Sequence, residues 1–180
     1  TVHDGTHDLF QVDTGTTGTI FSVNDVSGLP KLTVDDSDGV TINKFKQVNL
    51  EKTAVANFSH QGEVIYIGTG TTTQGELCYY KADGTWAATD ADATATAGGV
   101  LLAIALGTDP DADGMLLRGM FTLDHDPGTV ADELYVSTTA GDITSTAPSG
   151  SGDIVRLVGY CLDSTNGQIW FNPSNDFTVV

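Results

Sequence analysis

Apolar and polar residues alternate for a few positions and then give way to turn residues, three times in succession, over residues 8–40. The three blocks are DLFQVDTGTTG, TIFSVNDVSGL and PKLTVDDSDGV, each eleven residues long. Their matching apolar positions are Phe10, Phe21 and Leu32, and then Val12, Val23 and Val34. Each block is typical of a short, half-buried strand followed by a turn.

One such block is too small to fold alone. Burying a Val or Phe side chain stabilises by about 1.5–3 kcal/mol, whereas ordering each residue costs roughly 1–2 kcal/mol in backbone entropy. Repeat units of this kind bury their apolar face against neighbours, and a closed oligomer also removes exposed strand edges. We therefore expect residues 1–46 to form a repetitive β shaft intertwined between the subunits of a homotrimer. Its expected interface residues are Phe10, Val12, Phe21, Val23, Leu32 and Val34.

Longer apolar segments begin after a connector at residues 47–61. They are EVIYIG, ELCYY, GVLLAIAL, GMLLRGMFTL, ELYVST, DIVRLVGYCL and QIWFNP. Asp83-Gly84 and Asn166-Gly167 are two-residue hairpin signals, and no segment has an apolar stripe at helical spacing. The predicted class is all-β, with residues 62–180 forming a β-barrel or sandwich head domain.

The head region contains an internal repeat. ELCYYKADGTW at 76–86 aligns with ELYVSTTAGDI at 133–143 at an offset of 57 residues. Each segment is followed by a tract rich in small residues and then by an apolar strand. The order of strand, tight turn, strand, long loop and strand indicates a duplication within one barrel, with the long loops on its surface or reaching a neighbouring subunit.

The charge balance excludes several classes of partner. Asp and Glu number 24 against 7 Lys and Arg, which gives a net charge of −17. Nucleic-acid phosphates and anionic lipid surfaces both attract basic residues, so neither is expected to bind this chain. No apolar run reaches the roughly 20 residues of a membrane span, and the first residues do not resemble a signal peptide. We expect no membrane insertion.

Cys78 and Cys161 lie in apolar strands, far apart in the sequence and without a second Cys or a His at metal-ligand spacing. The main interpretation is two buried free thiols in a protein made in a reducing cytosol. A disulfide between them is the alternative.

Several acidic and histidine residues are candidate metal ligands. Asp109, Asp111 and Asp113 precede Gly114 in the spacing that opens a calcium loop, but the twelfth position is Met120, so an EF-hand is excluded. A simpler calcium site is the alternative to a solvated hairpin loop, and no cofactor is otherwise expected. Weaker candidates for metal binding are Asp35, Asp36 and Asp38, the segment Asp124-His125-Asp126, and His3, His7 and His60 at a trimer axis.

Aromatic residues offer a second kind of site, because flat rings stack on sugars. The candidates are Trp86, Trp170, Tyr79, Tyr80, Tyr135 and Tyr160. Ordinary core or interface packing is the competing interpretation, and Tyr79 and Tyr80 must point to opposite faces of their strand. No catalytic motif for a nucleophile, a zinc protease or phosphate binding is present, so we expect no enzyme.

The segments GELCYYKADGTWAATDADATATAGGVLLAIALG, LLRG and QIWFNP resemble the terminal β-domains of structural proteins from tailed marine bacteriophages. DLFQVD, TIFSVNDVSGLP and LTVDDSDGVTI resemble the shaft phrases of fibre proteins, and the ADG turn with the ADA loop is similar to phage head-decoration proteins. The resemblance covers nearly the whole chain, but its motifs are structural.

The resemblance implies a virion structural protein that is assembled in the host cytoplasm. The expected function is a trimeric tail fibre that presents its head domain to a host surface glycan or protein. A capsid decoration protein that binds other virion proteins is the alternative, and a glycan-degrading tailspike is a third hypothesis.

Overall fold

The computed structural model describes residues 2–3, 8–12, 19–24, 30–35, 40–42, 50–51 and 54–180, with the first five ranges described as strand backbone. The chain divides into two compact units, Thr1–Asn49 and Leu50–Val180. Strands form 37% of the chain, which confirms the predicted all-β class. No helix in the described ranges is long and apolar enough to cross a membrane.

The first unit is a five-stranded antiparallel meander in which each strand pairs with the next one along the chain. Its strands are β1 (Val2–His3), β2 (Asp8–Val12), β3 (Thr19–Asn24), β4 (Pro30–Asp35) and β5 (Val40–Ile42). Each eleven-residue block therefore supplies one strand, as the alternation predicted.

The pairing within this meander gives no support to the expected shaft or trimer. Phe10 pairs with Val23, which pairs with Leu32, while Val12 pairs with Phe21, which pairs with Val34. Directly paired residues share a face of a sheet, so all six repeat residues fall on one face of a sheet made by one chain. Each of the strands β2, β3 and β4 thus has both of its neighbours in the same chain.

The second unit contains eleven strands and one short helix in the described ranges. They are β6 (His60–Ile65), β7 (Leu77–Tyr80), β8 (Trp86–Ala88), α1 (Thr94–Ala97), β9 (Leu102–Ala105), β10 (Met115–Thr122), β11 (Glu133–Val136), β12 (Ile143–Thr144), β13 (Ile154–Val155), β14 (Leu157–Asp163), β15 (Gln168–Phe171) and β16 (Thr178–Val179). All seven apolar segments that were predicted as strands contain one.

Nine of these strands form one sheet in the order β12-β11-β14-β15-β10-β9-β7-β8, with β6 paired to β10 off this path. The order on one side of the β15–β10 pair repeats that on the other side: β7 lies between β8 and β9, and β11 lies between β12 and β14. The segments aligned at an offset of 57 thus occupy corresponding places in the strand order, and the duplication stays a prediction.

The sheet curls into a half-barrel, and backbone hydrogen bonds join its two ends. Leu77 N donates to Gly141 O at 2.7 Å, and Ala91 N donates to Ser137 O at 2.9 Å. Apolar side chains from both halves fill the interior of the curl. They include Leu77, Leu102, Ile104, Leu116, Phe121, Leu134, Val158, Ile169 and Phe171.

Both predicted hairpins form, but their loops are longer than two residues. Lys81 N donates to Thr85 O at 2.9 Å, which leaves a three-residue loop with Gly84 at a φ of +83°. Loops of this length commonly need a left-handed residue at their end. In the second hairpin Asp163 pairs with Gln168, and the loop between them has four residues.

Two further expectations require correction. The long loop after β8 does not simply cross the surface, because Ala91 and Ala97 are fully buried and belong to the interior cluster. The apolar segment DIVRLVGYCL does not form one strand: it is broken at Arg156 into β13 and β14, and β13 pairs with β16 in a separate two-stranded sheet.

Candidate functional site

The outer side of the second half of the sheet carries a row of large side chains. Tyr160 pairs with Glu133 on one side and with Trp170 on the other, and Trp170 also pairs with Met120. The neighbouring row is buried inside the curl, so alternation places the Tyr160 row on the outer side. Tyr160 is 40% exposed and Leu162 is 38% exposed. The exposed face is defined by Glu133, Tyr135, Leu157, Tyr160, Leu162 and Trp170.

A polar pair lies at one end of the exposed face. The Tyr135 hydroxyl donates a hydrogen bond to Glu133 Oε2. This hydrogen bond is the main cause of a raised Tyr135 pKa, and burial and the charge of Glu133 add to it. The phenol therefore stays protonated as a donor, and the face combines apolar rings with a fixed carboxylate. Such a surface can pack against protein or stack on a sugar ring.

The corresponding outer side of the first half is covered by the chain itself. Segment 65–69 crosses it, and Ile65 and Ile67 pack against a second buried cluster that contains Cys78, Trp86, Ala103, Ala105 and Met115. Trp86 Nε1 donates to Ile67 O at 2.8 Å, and the rings of Tyr80 and Trp86 are 4.9 Å apart. Trp86 is only 3% exposed. Among the residues that the structure describes, segment 65–69 covers the outer face of the first half, and no segment covers the outer face of the second half.

The six candidate aromatic residues divide accordingly. Tyr79 packs against the interior cluster, and Tyr80 packs against the outer cluster of the first half, which confirms that they point to opposite faces. Tyr135, Tyr160 and Trp170 come together on the exposed face. Trp86 is a core residue.

A polar cavity of about 190 Å³ lies where the two ends of the sheet meet, and its lining includes Glu76, Asp124, His125 and Asp142. Its polar groups are partly used within their own loops. Glu76 Oε2 accepts from Thr73 N at 3.1 Å, and the carboxylate of Asp124 lies 2.8 Å from His125 Nδ1. Within the part of the chain that the structure describes, no three His, Cys, Asp or Glu side chains are placed to hold a metal ion together.

The acidic loop before β10 uses two of its three carboxylates to hold its own turn. Asp113 Oδ2 accepts from Asp109 N at 2.9 Å, and Asp109 Oδ1 accepts from Asp111 N at 3.1 Å. These hydrogen bonds give the acidic residues a structural role at this turn. Calcium binding by Asp109, Asp111 and Asp113 stays a prediction.

Several weaker candidates lie outside the described side chains. The side chains of His3 and Asp35 belong to strands described by backbone, and His7, Asp36 and Asp38 lie outside the described residues. The six repeat residues, like His3 and Asp35, belong to strands that are described by their backbone. His60 is described, and its Nδ1 lies 3.2 Å from Phe58 O.

Both cysteines are buried free thiols, which agrees with the main interpretation. Burial is the largest cause of a raised pKa at Cys78 and at Cys161. The thiolate is the nucleophilic form of cysteine, so both groups are held in the unreactive form at neutral pH.

Sequence reasoning missed Arg156, which is 1% exposed. Arg156 is the single charged residue within the apolar run IVRLVG, and this position is the sequence feature that indicates a buried arginine.

No protein-family model matches the chain, and neither a curated protein nor a solved structure is significantly similar to it.

Proposed function

We propose that this chain is a non-enzymatic structural component of a bacteriophage particle and that it binds a neighbouring virion protein through the exposed face. The observation that carries the proposal is the difference between the two halves of the sheet. In the first half the outer apolar surface is covered by segment 65–69, whereas Tyr160 and Leu162 of the second half remain 40% and 38% exposed. A partner would bury the second surface as segment 65–69 buries the first.

Large exposed side chains on a sheet are suited to this role. Tyr and Trp carry much of the binding energy at protein interfaces, since each buries a large apolar area and keeps a polar atom for a hydrogen bond. Tyr160 and Trp170 are direct cross-strand neighbours, so they present one continuous surface. The Tyr135–Glu133 pair supplies the polar rim.

We place the protein on the capsid, as a decoration protein, instead of on the tail. The fibre hypothesis depends on a shaft built from several chains, but the repeat strands pair with one another in a single-chain meander. The resemblance to decoration proteins lies in the ADG hairpin and the following loop, and both belong to the second unit. A single chain can bind at each symmetry-related site of the capsid, so the expected trimer can form on the particle itself.

The placement is tested by immunogold labelling of intact particles with antibodies raised against the whole chain. Gold over the head is the expected result. Gold confined to the tail would overturn the capsid placement, and particles without gold would overturn the assignment to the virion.

The exposed face is tested by adding the purified chain back to particles from which it has been removed. Tyr160→Asp is expected to weaken rebinding about tenfold or more, because it places a charge within an apolar contact. Tyr66→Asp is the matched control, since Tyr66 is 58% exposed and lies outside the exposed face. Equal rebinding by the two variants would contradict the proposed surface.

Binding of a host surface glycan is the second candidate function. The observation that favours it is the position of the Glu133 carboxylate and the Tyr135 hydroxyl next to exposed rings, since sugars combine an apolar face with hydroxyl groups. We expect host polysaccharide to change Trp170 fluorescence in the Trp86→Phe background if this candidate is right. Release of shorter fragments in the same mixture would instead indicate the tailspike hydrolase.

A further inference from the structure

Arg156 is a buried cation without a counter-charge in the described part of the chain. Its guanidinium donates from Nε to Ser174 O at 2.7 Å and from Nη1 to Ala97 O and Val100 O at 2.8 and 2.9 Å. All three acceptors are neutral carbonyl oxygens. An arginine has five N–H donors, so the two on Nη2 have no acceptor among the described residues.

This arrangement is unusual in so acidic a chain. There are 24 Asp and Glu residues, yet the only cause that shifts the Arg156 pKa, downward, is burial. Buried charges are normally paired, because an isolated buried ion has a large desolvation cost. The three carbonyl oxygens offset part of the desolvation cost. They bind Nε and Nη1, so the two N–H groups of Nη2 are available as hydrogen-bond donors to a ligand.

Arg156 lines a cavity of about 230 Å³ together with Arg118. These two residues are the only arginines of the chain. Asn172 and Asn175 belong to the same lining. A chain with a net charge of −17 thus places both of its arginine residues in the lining of one cavity.

The rest of the lining is largely apolar. Val100, Leu101, Leu102 and Leu117 contribute to it, and Glu63 supplies a single carboxylate. Glu63 Oε1 accepts from Arg118 Nη2 at 2.8 Å, so the lining carries two positive charges and one negative charge. A net single positive charge matches a monoanion better than a dianion such as phosphate.

We propose that this cavity binds a small organic monocarboxylate. The carboxylate accepts hydrogen bonds from Arg156 Nη2 and lies in the field of Arg118, and the side chains of Leu101 and Leu117 contact a short alkyl or aromatic group. Arginine suits carboxylates because its planar fork matches their geometry. A cavity of about 150 Å³ holds benzene, so this one has room for a ligand the size of benzoate. The site shares no residue with the exposed face, so it is independent of the proposed attachment.

The test is an NMR titration of the whole chain with benzoate and with benzamide, which has nearly the same shape but no charge. We expect saturable shifts at the Arg156 Nε–H and at the backbone amides of residues 100–102 and 172. Benzamide should bind about tenfold more weakly. Equal binding of the two, or no saturable shift with benzoate, would overturn the proposal. Inorganic phosphate in a third titration should bind more weakly than benzoate, and stronger binding would overturn the monocarboxylate class.

Variants separate a ligand site from a purely structural role of Arg156. Replacing Arg156 removes bonds to three carbonyl groups and can unfold the unit, so the variants are made around it. Arg118→Gln is expected to weaken benzoate binding several-fold, whereas Lys81→Gln removes the same charge elsewhere and should leave binding unchanged. If both weaken binding equally, the effect is one of net charge and the site is wrong.

Leu101 provides a second pair of variants. It is 47% exposed and lines the cavity, so a polar replacement there is compatible with folding. Leu101→Asp should reduce benzoate affinity about tenfold relative to Leu101→Asn, because the two side chains differ mainly in charge. Equal affinity of these two variants would contradict a carboxylate held in this cavity.

Discussion

Gly62 and Gly119 face each other across the β6–β10 pair, and neither position has space for a side chain. A Cβ on Gly119 would lie 2.7 Å from Gly62 Cα and would overlap Gln61 O. A Cβ on Gly62 would lie 2.7 Å from Gly119 Cα and would overlap Arg118 O. The obstacles are backbone atoms, so no rotamer change can relieve the overlap. This glycine pair lets β6 approach the strand at the centre of the sheet.

Gly119→Ala should therefore destabilise the second unit by about 3 kcal/mol, since overpacking and an unfavourable φ act together. The measurement is urea unfolding of the whole chain followed by tryptophan fluorescence, which reports on this unit because both tryptophans lie in it.

Gly152→Ala is the control for the backbone effect alone. Gly152 has a φ of +95°, but a Cβ there meets no atom within 4 Å. We expect a loss of about 1–2 kcal/mol from its left-handed conformation. Equal losses at positions 119 and 152 would show that the close approach of β6 and β10 has no energetic consequence.

The two tryptophans should respond differently to the same substitution. Trp86→Phe removes the donor to Ile67 O and leaves a gap under segment 65–69, so we expect a loss of about 2 kcal/mol. Trp170→Phe acts on the exposed face and should cost less than about 1 kcal/mol. Urea midpoints followed by far-UV circular dichroism measure both variants. If Trp170→Phe were the more damaging, the exposed face would be part of the core.

The strands of this protein could be predicted from alternation, but their partners could not. The period-two pattern places Phe10 and Val12 on one face of a strand, and this holds whether the neighbouring strand comes from the same chain or another one. Turn residues such as those after Val12 also occur in both arrangements. The sequence pattern therefore does not decide whether each strand pairs with the next one along its own chain, as it does here, or with a strand of another chain.

The exposed face was only partly predictable for a similar reason. Alternation shows that Tyr79 and Tyr80 point in opposite directions, and the same pattern applies to Tyr160 and its neighbours. Whether an outer face is covered depends on a distant segment, and segment 65–69 covers only one of two related faces. The break of a strand at Arg156 likewise depends on carbonyl groups supplied by Ala97 and Ser174, which lie far from it in the sequence.

The Asp83 carboxylate in the first hairpin should titrate far below an ordinary aspartate. Hydrogen bonds from the Thr85 hydroxyl, first in importance, and from Lys81 lower its pKa to about 2. A lowered pKa means that this contribution to hairpin stability is present above the ordinary value of 3.8 and is lost as the pH falls through about 2. NMR detection of the side-chain carboxyl carbon measures the pKa. Thr85→Val should raise it toward the ordinary value, and an unchanged pKa would contradict the assigned cause.

Cys78 should make the second unit less stable at high pH. Burial, then the charge of Glu76 and a hydrogen bond to it, raise the pKa of the thiol above its ordinary value of 9.0. Above about pH 9 the unfolded chain loses this proton while the folded chain keeps it, so the free energy of unfolding falls by up to about 1.4 kcal/mol per pH unit. Below that pH the thiol is protonated in both states and has no such effect.

Urea unfolding between about pH 8 and pH 10 should show a shallower decline of the free energy of unfolding for Cys78→Ala than for the parent chain. The decline for Cys161→Ala is measured in the same way and compared with that for Cys78→Ala, because burial is also the main cause of the raised Cys161 pKa. A decline that is identical with and without the Cys78 thiol would mean that this group ionises equally in the folded and unfolded chains.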